Sequence, residues 1–331
     1  MPRLTIIIPH VPPVSVQLLE ETILSVLENR DTEVDVLVAT AGSYCDPYHL
    51  SDEGVDFLTL SRENTAVDCV NAAVAAACDG IACVLFPGTK WGNCDLADVF
   101  EAFCNEQVVA AVPGIADQKR KNRVFSSGIT CHPSGTIQNH RAGQAILRHA
   151  VLAPHLAGAF FRTSALRQWG GLHPQLGLQA AYLDFCFLAA QKKHQTIELP
   201  ACIFWGTATQ KVFTSLFEQA KQSEMLYRLW HHQGNSRQNA KSHAKSVCSE
   251  FLSHFPHYRT FQLLTGRMAG RLSGNLSQHR KCVYVRNDAI ADASVPQTEN
   301  AEAETIRFCG YPDNQSDQGD WDQTGDCTRA A

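Results

Sequence analysis

Two aspartates, Asp95 and Asp98, stand three positions apart just after the run Phe86-Pro87-Gly88-Thr89-Lys90-Trp91. Carboxylates at that spacing can offer oxygens to a hard cation. At the start of a helix they suit the positive end of the helix dipole equally well. Lys90, in the same run, is a cation for an anionic ligand or for solvent. Lys119, Arg120, Lys121 and Arg123 form a second cationic run, fit for phosphate contact or for simple solvation. Asp46 precedes Pro47 in a turn-forming stretch, where an aspartate commonly caps its own backbone. His231, His232, His243, His254 and His257 share one region, yet their spacing matches no metal-ligand pattern and adjacent helical positions point apart. The 13 cysteines contain no Cys-x-x-Cys pair, so zinc-ribbon and thioredoxin-type chemistry lack support. Many cysteines, among them Cys69, Cys78, Cys83 and Cys186, lie in apolar stretches and read as reduced, small hydrophobic side chains.

The elements that position these groups follow from hydrophobic period. Leu4 to Pro9 is a short β-branched run, as a strand buried on both faces would be. Ser15 then opens a helix that places Leu19, Ile23, Val26 and Leu27 on one face. Val34 to Thr40, Val55 to Leu60, Ile81 to Phe86 and Val108 to Pro113 read as further strands. Between them lie an alanine-rich helix over 65–78 and a helix over 96–103. Strands alternating with helices predict an α/β fold with a mostly parallel sheet and right-handed crossovers. Ligands of such a sheet bind outside the strand carboxyl ends, here near Pro9, Thr40, Leu60, Phe86 and Pro113. Residues 114–150 read as a loop-rich insertion with short hairpins. A short helix ends at Gly170-Gly171, a longer one spans about 179–192, and Ile197 to Pro200 forms a last strand.

The rest of the chain is divided by charge. Between 221 and 286 eleven lysines and arginines stand against Glu224 and Glu250. From 287 onward ten acids stand against Arg307 and Arg329, in a Gln-, Asn-, Ser- and Gly-rich context that predicts disorder. The acidic tail is the nearest opposite charge for the basic region. With net charge −5, 44% hydrophobic and 18% charged residues, the chain is ordinary globular protein, not a nucleic-acid binder. No apolar run is long enough to span a membrane. The start of the chain has too few apolar residues for an export signal, so a cytoplasmic location is expected. Asn275 and Asn314 begin glycosylation triplets that, without export, read as chance.

The order of these pieces over residues 3–210 resembles glycosyltransferase family 2, which has the GT-A fold. The resemblance runs through LTIIIPH, ETILSVLEN, EVDVLVATAGS, NAAVAAACDGIACVLFPG and VVAAVPGI. GAFFRTSALRQWGGLHPQLG and AYLDFCFLAAQKKHQTIELP complete it. It implies a GT-A-like domain over 1–210, followed by a basic helical extension over 211–286 and an acidic disordered tail over 287–331. It also implies a nucleotide-sugar donor and a glycan or polysaccharide acceptor. In the family, a divalent metal on an Asp-x-Asp loop stabilises the leaving diphosphate, and an aspartate takes the acceptor proton.

The departures from that pattern are specific. Thr40 and Ala41 stand where the family has an acidic pair before Gly42-Ser43. Phe86, Pro87 and Gly88 stand at the Asp-x-Asp position, so the usual ligands for Mg or Mn are absent. Ala181 and Tyr182 replace the Glu-Asp pair, with Asp184 two residues on, and Trp205 stands where many relatives have histidine. By the resemblance, Pro9, Thr40, Ala41, Asp46, Phe86, Gly88 and Lys90 border the donor. Asp184 is then the candidate base and Tyr182 a candidate hydrogen-bonding group, too weak a base at neutral pH with an ordinary pKa near ~10. Two functions follow: sugar transfer from a nucleotide sugar, without the metal if need be, or a catalytically inactive relative that binds a glycan or a partner enzyme. No Gly-x-Gly-x-x-Gly follows the first strand, so dinucleotide binding is not expected.

Overall fold

A computed structural model describes residues 3–29, 34–117, 124–131, 137–141, 144, 150–206, 215–230, 237–254 and 258–273. The cationic run 119–123, His231, His232, His257, both glycosylation triplets and the acidic tail lie outside the described residues.

Strands β1 (Arg3–His10), β2 (Val34–Ala41), β3 (Val55–Leu60), β4 (Gly80–Leu85) and β5 (Val108–Asp117) alternate with helices α1 (Val16–Leu27), α2 (Ala66–Ala76) and α3 (Leu96–Cys104). The insertion contributes β6 (Val124–Ser126), β7 (Ile129–Cys131), β8 (Ile137–Asn139) and β9 (Val151–Ala153). Then come β10 (Gly158–Arg162), α4 (Thr163–Gln168), α5 (Leu178–Gln191) and β11 (Gln195–Gly206). Helices α6 (Leu216–Trp230), α7 (Arg237–His254) and α8 (Tyr258–Leu272) follow.

The main sheet runs β11-β5-β10-β4-β1-β2-β3, with β6 added on β5. β10 is antiparallel to both β4 and β5, while β4, β1, β2 and β3 are mutually parallel, as are β5 and β11. β7, β8 and β9 make a small antiparallel sheet from the expected hairpins.

The period-two alternation of the strands builds a core on each face. Leu4, Ile6 and Ile8 of β1 pack with Leu19, Ile23 and Val26 of α1 and Val99 and Phe103 of α3. Ile7 points the other way, into a core with Val67 and Val70 of α2, Phe185 of α5 and Met225 of α6. Side chains of this size stabilise by roughly 1.5–3 kcal/mol each when fully buried, which is why the strands read as continuous apolar runs.

Ser15 stands at the N-cap of α1 but makes no side-chain cap bond. Thr65 and Asp68 form a capping box on α2, with Asp68 N donating to Thr65 Oγ1 at 3.2 Å and Thr65 N to Asp68 Oδ2 at 2.8 Å. Asn71 grips the turn after α4: its Nδ2 donates to the Leu172 carbonyl and its Oδ1 accepts from Leu172 N, both at 2.8 Å.

Two expectations are corrected. The last strand does not stop at Pro200: β11 continues to Gly206, resuming its pairing with β5 after an irregularity between Leu199 and Ile203. The continuation is stable because it buries Cys202 and Phe204. Nor are all cysteines thiols, because Cys94 and Cys202 form a disulfide across 108 positions. The loop before α3 folds onto the extended β11, with Ile203 N donating to Asn93 O at 2.6 Å, and so brings the two cysteines together. Spacing rules for close pairs are blind to such a partner. No described helix is long and apolar enough to cross a membrane.

Candidate functional site

Parallel pairing of β4, β1 and β2 sets their carboxyl ends side by side. Pro9 lies opposite Ala39 and His10 opposite Thr40, while Phe86 directly follows the end of β4. Pro9, Thr40, Ala41, Phe86 and Gly88 thus lie at or just beyond these strand carboxyl ends. The rim is lined by small, apolar and internally bonded groups. Phe86 is buried. Thr40 Oγ1 donates to the Gly42 carbonyl at 3.1 Å. His10 Nε2 lies 3.0 Å from the Val14 carbonyl, which makes that nitrogen the donor.

The backbone amides of the loop after β4 are committed to protein acceptors. Phe86 N donates to the Ala157 carbonyl at 3.1 Å, and Pro87 has no N–H. Gly88 N is shared between the Leu18 carbonyl at 3.1 Å and Thr22 Oγ1 at 2.8 Å. Thr89 N reaches Phe86 O at 3.0 Å, and Lys90 N reaches Trp205 O at 2.7 Å. Trp91 N donates to Ser25 Oγ at 3.1 Å. Helix α1 therefore supplies Thr22 and Ser25, both buried, as acceptors for this loop. On the other side β11 closes it: Trp205 N donates back to Lys90 O at 2.9 Å. A Cβ at Gly92 would stand 2.3 Å from the Ile203 carbonyl and 2.7 Å from Trp205 Nε1, so only glycine permits that approach. The Cys94–Cys202 disulfide fixes the end of the loop.

The charged candidates are placed apart. Lys90 Nζ lies 3.4 Å from Glu21 Oε2 of α1, both partly exposed. Asp46 serves its own turn, accepting from Ser51 N at 3.0 Å and Ser51 Oγ at 3.2 Å. Burial pushes its carboxyl up, but the backbone amides of Leu50, Ser51 and Tyr48 and the Ser51 hydroxyl outweigh that and hold it below the ordinary value. Asp95 caps α3, accepting from Ala97 N at 2.9 Å, with Asp98 in the first turn. Among the described residues no three His, Cys, Asp or Glu converge as a metal site requires. Phe86, Pro87 and Gly88 offer no side-chain oxygen, so this loop does not fit a divalent cation.

Tyr182 and Asp184 are inside. Tyr182 is 0% exposed, its ring lies tilted against Phe161 with centroids 5.1 Å apart, and its hydroxyl has no hydrogen-bond partner among the described residues. Burial drives its pKa well above the ordinary value, and the nearby Cys83 adds to this. Asp184 is 4% exposed, and Trp230 Nε1 of α6 donates to its Oδ1 at 2.8 Å. Trp230 also stacks on Phe187 at 5.3 Å, so the helical extension covers this stretch of α5. Ala181, just before Tyr182, is fully buried.

One rim cation was not singled out from sequence. Arg62, exposed in the turn after β3, brings its Cγ to 3.7 Å from where a Cβ on Gly42 would sit. Gly42 is itself tied to β3 through Leu60 O at 3.0 Å. Its only sequence signal was its place after the third strand, where ligands of parallel sheets gather.

No protein-family profile matches this chain, and no curated protein matches it. Solved structures do. A mannosyltransferase from Pyrobaculum calidifontis, in complex with GDP-Man and Mn2+, superposes with a TM-score of 0.50 at 14% identity, over 88% of this chain and 80% of its own. GalNAc-T7 with UDP, GalNAc and Mn2+ superposes with a TM-score of 0.52 at 11% identity, over 77% of this chain. The chain spans 58% of the length of GalNAc-T7. The fold is GT-A-like. The GT-A frame accounts for the antiparallel β10 set between β4 and β5, an arrangement that periodicity alone does not reveal. At such low identity the likeness concerns the frame, and the side chains on it are this chain's own.

Proposed function

We propose that this protein uses a GT-A frame for binding, as a catalytically inactive relative of the glycosyltransferases that holds a glycan or a partner enzyme. The observation that carries this reading is the loop Phe86–Trp91, whose backbone N–H groups are all taken by protein acceptors and whose first three side chains hold no oxygen. A leaving diphosphate needs a cation or a set of unpaired donors; this loop has no unpaired backbone donor, and its one cation, Lys90, lies 3.4 Å from Glu21 Oε2. The burial of Tyr182 and the cover of Trp230 over Asp184 support the same reading, since a base must reach an acceptor hydroxyl.

Arg62 favours a second reading. A cation on the rim beside Gly42 is placed to meet a phosphate, and Lys90 lies on the neighbouring loop. In that reading the protein transfers a sugar, without a metal, from a nucleotide sugar to a glycan or polysaccharide intermediate. Asp184 acts as base after α6 moves off it.

A thermal-shift titration of the full chain with UDP, GDP, dTDP and CDP, with and without Mn2+ or Mg2+, separates the two. A ligand at ~100 times its Kd stabilises by about 2.7 kcal/mol. The binding reading expects no metal-dependent shift and no release of nucleotide from any nucleotide sugar. A shift with one nucleotide that is lost in Arg62→Ala, together with turnover, would establish the second reading and overturn the first.

A further inference from the structure

Helix α8 has two opposed faces. Gly266 and Gly270 lie against α6 so closely that a Cβ would stand 2.2 Å from the Phe217 carbonyl and 2.6 Å from the Lys221 carbonyl. Leu263 is buried on the same side. Arg267 reaches Glu224 Oε2 at 3.2 Å and Arg271 reaches Glu224 Oε1 at 2.8 Å. These contacts fix the rotation of α8 about its axis, because any roll would drive backbone into backbone and unpair a buried carboxylate.

The other face is thereby held outward. It carries Phe261, Leu264, Met268 and Leu272, which are 69%, 46%, 55% and 81% exposed. Their spacing keeps them in one stripe along about 16 Å of helix at ~1.5 Å per residue. Leu252, near the end of the adjacent α7, is 76% exposed.

The charge carried by α7 and α8 is mostly positive. Helices α7 and α8 contain six lysines and arginines, namely Arg237, Lys241, Lys245, Arg259, Arg267 and Arg271, against Glu250. With Arg267 and Arg271 assigned to Glu224, four cations still stand against one acid. Lys241, Lys245 and Arg259 are exposed. An amphipathic helix with an apolar stripe and basic neighbours matches a negatively charged lipid surface, into whose headgroup boundary the stripe can sink. No described helix crosses a bilayer, so such a contact lies on the membrane.

We propose that α7 and α8 form a docking surface for an anionic membrane, with Phe261, Leu264, Met268 and Leu272 entering the lipid and the lysines and arginines meeting its headgroups. The surface is independent of the cleft and of the function assigned to it.

The test is co-sedimentation of the full chain with vesicles of phosphatidylcholine alone and with vesicles of equal parts phosphatidylcholine and phosphatidylglycerol. The expected result is binding to the anionic vesicles at least about tenfold tighter than to the neutral ones, weakened by added salt. Phe261→Glu with Met268→Glu should lower it by about tenfold or more, and Lys241→Glu with Lys245→Glu should lower it less. All four positions are exposed, and unchanged circular dichroism and melting would show that the variants fold. Failure of the wild-type chain to bind anionic vesicles overturns the proposal, as does binding that the Phe261→Glu, Met268→Glu variant leaves intact. Gel filtration at dimer size that this variant returns to monomer, without vesicle binding, would assign the stripe to a second copy. Absence of vesicle binding from a monomeric wild type would leave the stripe with no lipid role. Either outcome sinks the lipid assignment.

Discussion

Between Phe86 and Trp91 the chain carries no acidic side chain, and α1, β11 and the Ala157 carbonyl take up its backbone amides. Some 130 residues later it does the reverse. Glu224 is 2% exposed on α6, yet it meets His243 at 3.0 Å, Arg267 at 3.2 Å and Arg271 at 2.8 Å. Tyr227 stacks on the same histidine with ring centroids 3.6 Å apart. Burial pushes the Glu224 carboxyl up, but the His243 and Arg271 partners outweigh it and hold it down at about 2. The contrast shows that polarity in this molecule does not mark the cleft. The buried Glu224 cluster joins helices, and the strand-end rim is built largely of amides, hydroxyls and rings, with Arg62 and Lys90 at its edge.

The comparison can be broken most forcefully at Glu224. Glu224→Ala leaves Arg267 and His243 buried without their carboxylate and should cost about 3–5 kcal/mol in urea unfolding. A cost below ~1 kcal/mol would mean that the three helices pack by apolar contact alone. The same carboxylate sets a pH dependence. Its folded pKa is depressed, so its contribution is present above the unfolded value near ~4.3 and is lost as pH falls toward about 2. Thermal melts between neutral and acid pH should show that loss, and Glu224→Gln should flatten it.

Cys94→Ser tests the loop side next. Opening a link across 108 positions should cost about 2–4 kcal/mol. Wild-type melting that is unaffected by reductant would argue against the link holding this loop. Ser25→Ala removes the acceptor of the Trp91 amide and should cost about 1–3 kcal/mol, since a buried donor is left unmet. If that variant instead gains a nucleotide-dependent thermal shift, the loop's amides are available to a phosphate and the binding reading weakens. The smallest effect is expected at Asp184→Asn, which keeps an oxygen for Trp230 Nε1. Stability should change by less than ~1 kcal/mol, and any nucleotide-sugar turnover that this variant abolishes would make Asp184 the base.

Much of the frame was legible from residues alone. The β-branched runs at Leu4 to Pro9 and Ile81 to Phe86 became central strands because burial on both faces demands unbroken apolar sequence. Asp95 emerged at the start of a helix, as read from the sequence, because that bond joins neighbours in the chain. The absence of carboxylates at Phe86-Pro87-Gly88 and Ala181-Tyr182 was likewise visible, since it is a matter of residue type.

Tertiary structure decided whatever depends on partners distant in sequence. Basic composition marked the region after 221, but only helix packing turned Glu224, His243, Arg267 and Arg271 into one buried cluster. Tyr182 and Asp184 read alike as candidates on one helix. Packing against Phe161 closed one off, and Trp230, 46 positions away, took the other. Cys94 found Cys202, and Arg62 came to the rim beside Gly42, for the same reason. Periodicity records which face of an element is buried, whereas it holds no record of what the fold brings against that face.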